Sequence, residues 1–245
     1  MKNNRMIDRT FKILRNDSPI NVIEAYRSLR TNVIFSLAGE GCKKIMITSS
    51  FPGEGKTTTC VNLAITFAQT GAKVLVVDCD LRKSRIHRCF NIKRVDGLSS
   101  VLSGLKKAED IIVHDDESNL DILMAGHIPP NPAELLASEA MADFLEEYGE
   151  KYDYIFLDTP PVNVVTDALV LSKLVSGVLM IAWQMRSDHK VIREALERLE
   201  LAGAKPIGFV LNDVVEGSSK YGYSYRDKYK YKYKYKYDYQ YGDKK

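Results

Sequence analysis

The chain has 245 residues, 45% of them hydrophobic, enough for one sizeable core. Its net charge of +3 conceals an asymmetry: residues 220–245 hold nine Lys/Arg against three Asp, so this end is +6 and the preceding body sums to −3. A mildly acidic body lacks the basic surface that nucleic-acid binding requires, the first 20 residues are too charged for a signal peptide, and no apolar run approaches the ~18 residues that a membrane span needs.

Residues 1–17 carry five Lys/Arg and two acids around Met6, Ile7, Phe11, Ile13 and Leu14, and read as a basic, solvated arm. Ser18-Pro19 reads as an N-cap followed by proline at the first helical position. The helix that follows puts Val22, Tyr26, Leu29 and Val33 on one face and Glu24, Arg27 and Arg30 on another. By spacing alone the charged stripe is a solvated face with an internal ion pair.

After Gly39 and Gly41 come an apolar run, "KIMITSS", a loop, "FPGEGKTTT", and an apolar-periodic segment closed by Gly71. That order is strand, loop, helix. "KVLVVDCD" is a second buried strand ending in acids. Short elements follow, including "GLSSVLSG", "NLDILMAG" and "NPAELLAS". Three more apolar strands, "YDYIFLD", "SGVLMIAW" and "PIGFVLND", are separated by helices near 166–175 and 188–202. Strands alternating with helices imply an α/β fold with a doubly wound, mostly parallel sheet of about seven strands. Such sheets bind ligands at the carboxyl ends of their strands. The four cysteines form no CxxC or metal-ligand pattern, and Cys60 and Cys79 read as buried thiols of a reducing compartment.

The chemistry lies in three places. In "GEGKTTT", Gly53 and Gly55 let backbone N–H groups close around a phosphate, Lys56 can reach the β- and γ-phosphates, and the Thr57 hydroxyl can ligate magnesium. Ser50 stands where the usual phosphate-loop pattern has glycine. Asp158 ends an apolar strand, where a carboxylate can hold a magnesium-bound water. Asp78 and Asp80 add two carboxylates on one side of a strand end, suiting one for metal and one to accept a hydroxyl proton. The plainer alternative for this pair is a turn acid plus a salt bridge to Arg82.

The last stretch holds ten tyrosines, Tyr221, Tyr223, Tyr225, Tyr229, Tyr231, Tyr233, Tyr235, Tyr237, Tyr239 and Tyr241, most of them alternating with lysine. With no aliphatic residue to pack against, it reads as a disordered tail. Taken alone it suits a phosphate acceptor, a basic-aromatic nucleic-acid binder or a polyanion tether.

Together "PGEGKTTT", "VLVVDCDLR", "YIFLDTPP" and the tyrosine-rich end resemble the bacterial tyrosine kinases, of the stand-alone cytoplasmic type linked to capsule and exopolysaccharide assembly. "EAYRSLRTN", "GLSSVLSG", "IPPNPAELLAS" and "VTDALVLS" extend the likeness from about residue 20 to the terminus. The resemblance implies a P-loop NTPase fold of the partitioning-ATPase type. It implies three parts: a basic arm (1–17), a kinase domain (18–217) and a tyrosine-rich tail (218–245).

Carried over by position, it makes Gly53, Glu54, Gly55, Lys56, Thr57 and Thr58 the ATP loop, with Lys56 essential. Thr57, Asp80 and Asp158 become the Mg2+ environment, Asp78 the base for a tyrosine hydroxyl, and Asn212 an adenine contact. Glu24, Arg27 and Arg30 become a subunit contact that closes a ring, with each tail phosphorylated by a neighbour. The resemblance further implies a membrane adaptor that recruits this cytoplasmic chain to the membrane's inner face and activates it, a cognate tyrosine phosphatase, and no nucleic acid. Ser84 departs from the proline that many relatives carry after "DLRK", and the tail is less glycine-spaced than most. The alternative is the sister group of partitioning and division-site ATPases, switches without kinase activity. Their signature lysine falls five residues before the loop lysine, where this chain has Phe51.

Overall fold

The computed structural model describes residues 13–15, 17–37, 39–92 and 96–214. The tail tyrosines, and the arm up to residue 12, lie outside the described residues. In chain order the elements are α1 (Ile20–Ser36), β1 (Lys43–Ser49), α2 (Lys56–Ala68), β2 (Val74–Asp78), α3 (Ile86–Cys89), α4 (Leu98–Leu102), β3 (Val113–Asp115) and β4 (Leu120–Leu123), followed by α5 (Pro132–Leu136), α6 (Glu139–Gly149), β5 (Tyr154–Asp158), α7 (Asp167–Leu171), β6 (Gly177–Trp183), α8 (His189–Leu201) and β7 (Pro206–Asn212).

Seven strands form one sheet in the order β3-β4-β2-β5-β1-β6-β7. All pairs are parallel except β3 with β4. Alternate residues of each strand feed opposite faces. Ile45 and Ile47 of β1 join α1, α2 and α3 on one side, whereas Met46 joins α4 to α8 on the other. Both faces are therefore apolar, which is why the central strands read as unbroken hydrophobic runs.

Several elements differ from expectation. Helix α1 starts at Ile20, one residue after Pro19, whose carbonyl accepts from the Val22 and Ile23 N–H groups. The Ser18 hydroxyl caps nothing in α1; it accepts from the Arg15 N–H at 2.9 Å. The buried face of α1 runs through Ile23, Tyr26, Leu29 and Val33, and Val22 is exposed. The arm expected to be solvated through residue 17 is already anchored at Leu14, which is buried while its N–H donates to Asn62 Oδ1 at 2.8 Å. Helix α6 adds to the expected elements: Met141, Phe144, Leu145 and Tyr148 follow helical spacing and are all buried. Edge strand β3 is three residues, "VHD", too short and charged to give an apolar signal.

Candidate active site

The order β2-β5-β1 places three strand ends side by side: the loop after β1, the acids after β2, and Asp158 at the end of β5. Asp78 and Asp158 are register partners on adjacent parallel strands. Their side chains crowd one another at the carboxyl edge of the sheet, where this fold class keeps its ligands.

Residues 50–55 wrap from β1 into α2. Gly53 and Gly55 adopt φ of +85° and +91°, a region that disfavours a side chain. At Gly55 an added Cβ would also stand 2.4 Å from Asn212 Nδ2. The first-turn N–H groups of α2 have no preceding helical carbonyl to meet and form an anion cradle. Lys56 and Thr57 open the helix and are both buried.

The Glu54 side chain is turned into the loop. Its buried carboxylate accepts from Ser50 Oγ at 3.2 and 3.1 Å, from the Phe51 N–H at 2.9 Å, and from Ser187 Oγ. Ser50 thus closes the loop from within, and Ser187 ties it to the segment between β6 and α8. Asn212 braces the same loop: its Nδ2 donates to the Glu54 carbonyl at 2.9 Å and to Thr59 Oγ1 at 3.1 Å. The amide expected to meet adenine is engaged under Gly55.

The acids are held unequally. Asp78 is fully buried; Ser84 Oγ donates to its Oδ2 at 2.6 Å, with the Ile86 N–H at 3.3 Å, and the Asp80 N–H reaches Oδ1 at 3.2 Å. Burial and the neighbouring Asp158 carboxylate push its pKa well above the usual range. Asp78 is enclosed by the loop that follows it, whereas the half-buried Asp80 lies nearer solvent and caps the Lys83 N–H at 2.8 Å. Burial also raises Asp158, against which the Lys56 charge and the Thr57 hydroxyl pull it down.

Asp158 Oδ1 is buried and has no hydrogen-bond partner. An orphaned carboxylate oxygen beside a threonine hydroxyl fits a hydrated Mg2+. Among the described residues no three His, Cys, Asp or Glu side chains are grouped to hold a metal by themselves.

Arg82 pairs with neither site acid. Its guanidinium grips Asp167 of α7 through two 2.9 Å hydrogen bonds, and Asp167 is completely buried. Glu24 and Arg27 form the expected ion pair on α1 at 2.9 Å, but Arg30 turns inward to donate to the Thr66 carbonyl of α2. Cys60 and Cys79 are buried free thiols.

The AAA domain model matches residues 42–200. The chain is 40% identical over 201 residues to tyrosine-protein kinase YwqD of Bacillus subtilis, covering 82% of this chain and 85% of that one. The chain belongs to the bacterial tyrosine-kinase family. Within it, tyrosine-protein kinase ptk of Acinetobacter johnsonii is 38% identical over 81% of this chain but only 27% of its own length. The solved kinase domain of Escherichia coli tyrosine kinase ETK superposes with a TM-score of 0.78 at 36% identity, covering 83% of this chain and 80% of that one. The septum site-determining protein MinD of Pyrococcus horikoshii, complexed with Mg-ADP, is more distant, at a TM-score of 0.61 and 27% identity over 73% and 72% of the two chains. The seven-stranded, mostly parallel P-loop fold is as expected.

Proposed function

We propose that this protein-tyrosine kinase transfers the γ-phosphoryl of ATP to the tyrosines of its own C-terminal cluster, in trans within an oligomer. The observation that carries the reading is the convergence of Lys56 and Thr57 on the buried Asp158 carboxylate, whose Oδ1 lacks a partner. Mg2+, when bound with ATP, would offset the phosphate charge. Thr57, Asp158 and Asp80 would hold it, largely through water. Lys56 draws charge off the β/γ-phosphates, and Gly53 and Gly55 keep the cradle open to them. Asp78 would accept the tyrosine proton in its ionised form, once the Ser84 hydroxyl turns away from its Oδ2. Glu54 and Asn212 act as braces of the loop.

The tail suits the role of acceptor because its tyrosines have nothing to pack on. About 25 residues of flexible chain have an r.m.s. span of about 25–30 Å, enough to reach a neighbouring subunit. Glu24 and Arg27 remain on open surface as candidates for the contact that builds a ring. The reading extends to capsule or exopolysaccharide synthesis and export, with a membrane adaptor recruiting and activating the kinase and a tyrosine phosphatase resetting it. In support, relatives such as ptk carry the matching segment as about a quarter of a much longer chain. Among the described residues no helix is long and apolar enough to cross a membrane. Site mapping after incubation with ATP and Mg2+ tests the reaction: phosphate must appear within Tyr221–Tyr241 and vanish in Lys56→Met.

A further inference from the structure

The segment after the site acids, "LRKSRIHRCFNIKRV", holds six Lys/Arg and no acid, in a body whose remaining charge is acidic. Within it, Arg82 is spent on Asp167. Lys83 and Arg88 are exposed and Arg85 is half-buried, and among the described residues none of these three side chains has a hydrogen-bond or ion-pair partner.

These cations do not hang on a loose loop. The Lys83 N–H is fixed on Asp80 and the Ile86 N–H on Asp78, with Ser84 Oγ donating to Asp78 between them. Ile86 and Cys89 are buried in the core, which seats α3 and directs Arg85 and Arg88, three apart, along another face. The Arg85 charge is felt at Asp158 and the Lys83 N–H is held by Asp80, which sets these two residues beside the site acids, with Arg88 one turn further along α3.

We propose that Lys83, Arg85 and Arg88 form a phosphotyrosine-binding rim that holds an already modified tyrosine of a second copy's tail while a neighbouring tyrosine enters the site. This rests on the tail being the substrate. The chemistry separates product from substrate. The unmodified tail is +6 and is repelled by the rim. Each phosphotyrosine adds about −1.5 to −2 and three acceptor oxygens, which suit arginine's paired donors. Tyrosines at every second residue recur about 7 Å apart in an extended chain, so anchoring one keeps the next close. Modification would then run in bursts along one tail.

The test uses the full chain carrying Lys56→Met and synthetic peptides of residues 228–241, either unmodified, with one phosphotyrosine, or with glutamate in its place. By fluorescence anisotropy the phosphopeptide should bind at least about tenfold tighter than the unmodified one. Adding Lys83→Ala and Arg88→Ala should cut that difference to about twofold, the part Arg85 alone can hold; both residues are exposed, so the variant should fold, and Arg85 is left intact for its closeness to Asp158. Equal binding of phosphorylated and unmodified peptides, or an undiminished preference in the variant, overturns the rim. Glutamate binding as tightly as phosphotyrosine would mark a general acidic-protein surface and also overturn it.

A second arm gives limiting ATP to the chain with Lys56 restored and reads intact masses. Bursts leave unmodified and heavily modified chains together, and Lys83→Ala/Arg88→Ala should convert this to an even spread. An even spread in wild type overturns the proposal. Absence of any tail phosphate in wild type contradicts the kinase reading instead, and peptide binding alone then decides the rim.

Discussion

Two fully buried carboxylates at adjacent strand ends should make the metal-free protein lose stability as pH rises. Burial and Asp158 push Asp78 up to about 8, whereas in the unfolded chain it returns to the ordinary carboxylate value near 3.8. Between those values the folded state keeps a proton that the unfolded state has released. Stability is therefore greatest below about pH 4 for this group and is lost as pH climbs through the folded value. One proton of difference costs about 1.4 kcal/mol per pH unit. From pH 6 to pH 8 that is about 2 kcal/mol, or roughly 4–8 °C in Tm for a domain of this size.

The perturbation is Asp78→Asn, because asparagine imitates the protonated acid and still accepts from Ser84. Thermal unfolding in EDTA, without nucleotide, at pH 6, 7 and 8 should show wild type falling and the variant nearly flat, so the variant becomes the more stable at pH 8. The difference between the proteins removes the histidines, including His114, whose pKa is raised chiefly by its hydrogen bond to Asp121. A wild-type Tm that is level or rising over this range, or parallel curves, would refute the buried-acid reasoning.

Other consequences are separable. Asp78→Asn should retain nucleotide binding by titration calorimetry yet lose tail phosphorylation, whereas comparable phosphotyrosine in both proteins would remove Asp78 as the base. Gly55→Ala should abolish nucleotide binding, because the new Cβ meets Asn212 Nδ2 at 2.4 Å in a backbone conformation that disfavours side chains; unchanged affinity would contradict the bracing geometry. Arg82→Ala strands the buried Asp167 carboxylate. With Arg82 partly exposed, a loss of about 2–3 kcal/mol is expected in denaturant unfolding. Arg27→Ala should shrink the oligomer in light scattering, and an unchanged mass would take it out of the subunit contact.

Much of the fold was legible because parallel strands covered on both faces leave unbroken apolar runs, as in "VLVVD" and "YIFLD". What escaped was set by packing rather than pattern. Ile23 displaces Val22 from the inner face of α1, and β3 exists only because β4 offers it an edge. Within the site, spacing marks the glycines, lysine and acids as candidates but not what each side chain meets. Ser187 reaches Glu54 across 133 positions, and Arg82 finds Asp167 across 85, distances at which local sequence carries no pairing signal. Ser84 was visible as a departure, and only the folded loop reveals that its hydroxyl meets Asp78.

The most direct measurement is intact mass and site mapping of the purified chain after prolonged incubation with ATP and Mg2+, beside Lys56→Met. The predicted result is phosphate confined to tyrosines between Tyr221 and Tyr241 in wild type and none in the variant. ATP hydrolysis by wild type with no phosphate on any tyrosine would contradict the kinase mechanism and leave a nucleotide switch in its place.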